Sequence, residues 1–80
     1  MALRFIGIDT DSEHGGCPSI WVDEADGSVV IQGIVVDDPV DVAQVVARSP
    51  LAPDEMIIRL PARMRDYLLE ACRDGDRDMG

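Results

Sequence analysis

The stretch from Asp9 to Cys17, DTDSEHGGC, gathers the side-chain types best suited to chemistry in this chain. Asp9, Asp11 and Glu13 alternate, as carboxylates do at the opening of a calcium loop, where a hard cation collects several oxygens. The pattern departs from that loop where it is diagnostic. His14 stands where the sharp turn requires Gly, and Ile20 stands where a bidentate Glu closes the shell. His14 and Cys17 also form an H-x-x-C pair, and neutral imidazole with thiolate is a good zinc donor set. A structural zinc takes four ligands, and the only other thiol, Cys72, is far along the chain. Carboxylates would have to complete the shell. The metal reading is therefore a small module using Asp9, Asp11, Glu13, His14 and Cys17. The opposing reading is a solvated acidic loop.

The same His14–Cys17 pair could serve as base and nucleophile, with Gly15 and Gly16 amides as oxyanion donors. The neighbouring carboxylates oppose thiolate formation. A chain of 80 residues also leaves little material for a water-excluding pocket. No G-x-S-x-G, G-x-x-x-x-G-K or G-x-G-x-x-G is present, and a single histidine excludes multi-histidine metal sites. The expectation is a non-enzymatic protein with no catalytic residue and no cofactor.

The elements around this loop follow from pattern. Leu3–Ile8 is short and β-rich, and predicts a strand. Asp9 to Pro18 is turn chemistry throughout. Two further β-rich runs, residues 19–24 and 28–36, flank Ala25-Asp26-Gly27, and Asp-Gly tolerates the positive φ that hairpin turns demand. Gly33 inside the second arm marks a bulge or a bend over the core. Asp37-Asp38-Pro39 reads as a helix start, with Asp38 as cap, Pro39 in the first turn and Asp41 favourably placed. That helix runs from Pro39 to Arg48, with Val42, Val45 and Val46 on one face. Residues 49–55 form a loop and 56–60 a short strand. Pro61 opens a last helix whose apolar stripe is Pro61, Met64, Leu68 and Ala71 with Cys72, with Gly75 as a left-handed stop. The order is β-β-β-α-β-α. It predicts an α+β fold: a small, mainly antiparallel sheet of three to four strands with two helices on one face. Residues 1–75 form one domain and 76–80 a frayed tail.

Sixteen acidic residues against seven basic ones leave a net charge of −9 and a pI near 4.2. No basic cluster could neutralise several phosphates, so direct nucleic-acid binding is disfavoured. No apolar run approaches the ~18 residues of a membrane span, and no secretory-type leader is read at the start. With no such leader, Cys17 and Cys72 are expected as free thiols in the cytoplasm. Trp21 is either a core residue or an interface anchor. Strand alternation sets it opposite Ile20 and Val22, without fixing which face is outward.

Met56 to Arg73 resembles the strand-then-helix start of a ribbon-helix-helix DNA binder. That fold requires a second helix and polar base-reading side chains, whereas Met56, Ile57 and Ile58 are apolar. The first sixty residues also carry −8, from three Arg against eleven acids. A buried strand and a packing helix are expected instead. RFIGID, SIWVDEADGSVVIQG and IIRLPARMRDYLLEAC together resemble a group of small, acidic, uncharacterised actinobacterial proteins. All basic residues being Arg, with no Lys and no Asn, fits a GC-rich coding origin. The resemblance implies an accessory or regulatory role, with members near helix-turn-helix regulators.

The residues thus lead to an acidic protein-interaction domain. Its partner would be a protein with a basic surface, with a helix-turn-helix regulator as one case, and self-association is a further expectation. The contact residues expected are Asp9, Asp11, Glu13, Asp23, Glu24 and Asp26, with Trp21 as anchor.

Overall fold

The computed structural model describes residues 2–11 and 16–79, with side chains up to Arg73. The fold is α+β. Strands β1 (Leu3–Ile8), β2 (Ser19–Asp23) and β3 (Val29–Gln32) form an antiparallel sheet in that order. Strand β4 (Ile34–Val35) pairs antiparallel with β5 (Ile58–Arg59) in a separate two-stranded sheet, and α1 (Pro39–Arg48) lies between them in sequence. A 3-10 turn at Ala62–Met64 leads into α2 (Arg65–Met79).

The Asp-Gly turn forms as its residues require. Gly27 takes φ +78°, and its amide donates to the Asp23 carbonyl at 2.8 Å. Asp23 and Asp26 carboxylates accept from the Ala25 and Ser28 amides, both at 2.9 Å, fixing the hairpin tip. Helix α1 begins and ends where the pattern places it, and the Asp38 side chain caps the Val40 amide at 2.8 Å.

The strand expected over 28–36 is divided. At Gly33 the chain leaves β2 and joins β5. A side chain there would meet the Arg59 carbonyl and Ile58 at 3.0 Å, so the close approach favours glycine. The bend, rather than a bulge, is therefore the role of Gly33. The bulge lies instead in β1, where the register shifts between Phe5 and Gly7. The strand expected over 56–60 pairs only at Ile58–Arg59. Pro61 precedes a 3-10 turn rather than the α-helix itself, and α2 continues past Gly75, the expected stop, to Met79.

The core sits between the three-stranded sheet and α2. Ile20, Val22, Met64 and Ala71 are buried, with Ile6, Ile31, Leu60, Tyr67 and Leu68 packed around them. Met64, Leu68 and Ala71 supply the expected helical stripe, while Cys72 is exposed. The two helices do not share this face as expected. Helix α2 packs against β1 and β2, whereas α1 has no buried residue.

Candidate interaction surface

Because β2 buries Ile20 and Val22 against α2, its alternate residues point to the other, open face. Trp21 lies there, half-buried, directly between Phe5 on β1 and Val30 on β3. The Phe5 and Trp21 rings meet edge to face, with centroids 5.1 Å apart and planes at 67°. Such cross-strand aromatic pairs add to sheet stability and rigidify the face that carries them. The Trp21 indole N–H donates to Ser19 Oγ at 3.0 Å, and Ser19 Oγ donates to Gln32 Oε1 at 2.9 Å. The indole N–H is thus satisfied by a serine that is itself paired across the sheet, while the ring stays partly exposed. Leu3 and Ile8 extend the apolar row on β1, both more than two-fifths exposed.

One end of this face is the acidic hairpin. Asp23 is half-buried, and Glu24 and Asp26 are exposed. Arg4 reaches Glu24 at 3.1 Å. Hydrogen bonds from the Ser28 hydroxyl and amide hold the Asp26 carboxyl below its ordinary range, so it stays ionised to lower pH. The opposite end is the start of the 9–18 loop, closed by the Asp9 amide donating to the Pro18 carbonyl at 2.9 Å.

Asp9 does not present its charge outward. It is 3% exposed, and Arg63 donates to both of its carboxylate oxygens at 2.7 Å. That hydrogen bonding outweighs partial desolvation and lowers the Asp9 pKa. The Asp11 amide adds a third hydrogen bond at 3.0 Å, leaving the Asp11 side chain exposed. Glu13 and His14 lie outside the described residues. Cys17 is half-buried, and both thiols are free. Among the described residues, no three potential metal ligands converge. A cation at Asp9 would have to displace a bidentate guanidinium.

The structure therefore brings Trp21, Asp23, Glu24 and Asp26 around one face and turns Asp9 inward. Sequence reasoning missed Phe5, Val30 and Arg63. Val30 follows from the hairpin register once the parity of β2 is known. Phe5 does not, because the β1 bulge resets the alternation. Arg63 pairs across a sequence distance that no local pattern spans. The chain matches no family model, no curated protein and no solved structure. Among the described residues, no helix is long and apolar enough to cross a membrane.

Proposed function

We propose that this protein is a non-enzymatic interaction domain that binds a basic protein surface. The observation that carries this reading is the Phe5–Trp21–Val30 row, bordered by the carboxylates of the β2–β3 hairpin. The apolar row supplies contact area at low entropic cost, since its aromatic pair is already ordered. The carboxylates steer a cationic partner and set its orientation. Asp11, Asp23, Glu24 and Asp26 are the contact acids, with Trp21 the anchor and Phe5 beside it. A partner of the right chemistry carries an aliphatic or aromatic centre with Arg or Lys at its rim. The DNA-facing side of a helix-turn-helix regulator is the case that the actinobacterial resemblance implies.

The test is capture from native lysate at low and moderate salt, followed by association rates with the captured protein. Asp11→Arg with Glu24→Arg should slow association about tenfold or more at low salt and flatten its salt dependence. Phe5→Ser should raise the dissociation rate and leave the salt dependence alone. Rates unchanged in both variants would exclude this face.

A further inference from the structure

Residues 34–58 contain β4, α1 and the start of β5, yet none of them is buried. Seven of the thirteen exposed large hydrophobic side chains among the described residues lie in this stretch. Local structure alone does not account for its order. Helix α1 has 10 residues, below the ~12–15 at which isolated helices become even marginal. A lone two-stranded ribbon is equally marginal.

The whole chain carries the same surplus. Its accessible surface is 6129 Å², against about 4,700 Å² for a compact chain of this mass. Its radius of gyration is 14.1 Å, against about 12 Å.

The charge order of α1 says what covers it. Asp41, Val45 and Arg48 recur at i, i+4 and i+7 and share one helix face. Val45 is 44% exposed at the centre of that line. Asp41 lies in the first turn and Arg48 in the last. A second copy of α1 laid antiparallel across Val45 sets each Arg48 against the other copy's Asp41. It also opposes the two helix dipoles favourably and brings the two valines together on the axis. A parallel arrangement sets acid against acid. A basic partner meets Asp41 but is repelled by Arg48. Arg59 holds Asp41 Oδ2 at 2.8 Å and so fixes the carboxylate that the second copy's arginine would approach.

We infer that α1 is a self-association surface, on which two copies pair antiparallel about Val45 with Asp41–Arg48 pairs at each end. The interface is isologous and closes on itself. It is independent of the acidic-domain reading, which uses the other sheet.

Sedimentation of the full chain from about 1 to 100 µM tests this, since standard interfaces give affinities of micromolar or better. The expected mass at the upper end is two chains. Val45→Asp sets like charges across the axis and should weaken pairing at least about thirtyfold, the level of a hot-spot side chain. Trp21 fluorescence reports whether the variant keeps its core. Arg48→Asp, at an exposed position, should also dissociate the pair, and adding Asp41→Arg together with Arg59→Asp, which keeps the 41–59 pair within the chain, should restore it. A one-chain mass at about 100 µM overturns the inference. So does a two-chain mass that Val45→Asp and Arg48→Asp leave unchanged, which would place pairing elsewhere. Failure of the triple variant to restore pairing overturns the antiparallel register.

Discussion

At the residue scale, Asp9 and Arg63 join the first loop to the entrance of α2. The folded Asp9 carboxyl titrates below its ordinary value of 3.8. A lowered folded pKa contributes stability that is fully present above the unfolded value. That contribution is lost as pH falls through the folded value. Urea midpoints measured from pH 6 downward should therefore fall most steeply below about pH 4. Asp9→Asn should lower the midpoint at pH 6 and flatten the acid limb. An acid limb unchanged by the substitution would show that other carboxylates set it. Gly7 makes a second residue-scale point. It sits at the β1 bulge, under the Tyr67 ring, and a methyl group there would overlap the ring carbons. Gly7→Ala should cost about 1–3 kcal/mol, the usual range for overpacking. In a Tyr67→Ala background the same change should cost much less, and urea denaturation of the four variants measures that coupling.

At the element scale, the Asp38 cap is the clearest test. Asp38→Ala should destabilise α1 by about 1 kcal/mol, read as lost helical signal in far-UV circular dichroism. Because no residue of α1 is fully buried and the core lies against α2, the loss should stay local and leave Trp21 fluorescence unchanged. Gly33→Val should separate β4 from β5, seen as amide shifts at Val36 and Ile57, whose backbone hydrogen bond is 3.0 Å. The elements with local causes were legible in the sequence. The Asp26-Gly27 hairpin and the Asp38-Pro39 helix start both follow from residues that touch their own neighbours. What was not legible depends on distant partners. Gly33 announces a bend, but only Arg59 and Ile58 decide where the chain goes after it. Val42, Val45 and Val46 announce an amphipathic helix, but nothing local says whether the chain itself covers it. The site was half legible for the same reason. Glu24 and Asp26 were readable as surface charge, whereas the inward turn of Asp9 required Arg63.

At the scale of the whole molecule, charge and shape dominate. Sixteen acids and seven bases leave unbalanced repulsion that two exposed ion pairs, Arg4–Glu24 and Asp41–Arg59, do little to offset. Added salt screens repulsion and these weak pairs alike, and repulsion is the larger sum. The thermal midpoint should rise between about 10 and 150 mM salt, where the screening length falls from roughly 30 to 8 Å. A midpoint that falls with salt would mean that specific pairs outweigh net charge. The molecule spans 40 × 30 × 22 Å, elongated for its mass, with its core confined to one sheet and one helix.

The departure of the chain from the first sheet at Gly33 also sets how the fold opens. Backbone amides of β2 are secured by strands on both sides and by the buried core, so they exchange with solvent only through unfolding of that unit. Amides of β4, α1 and β5 have no such cover and exchange through a smaller opening that leaves the core intact. Two exchange regimes within one short chain follow, with their border at Gly33. Pairing through α1 slows the faster regime as concentration rises, and slows the slower one as well, because unfolding of the whole chain also dissociates the pair.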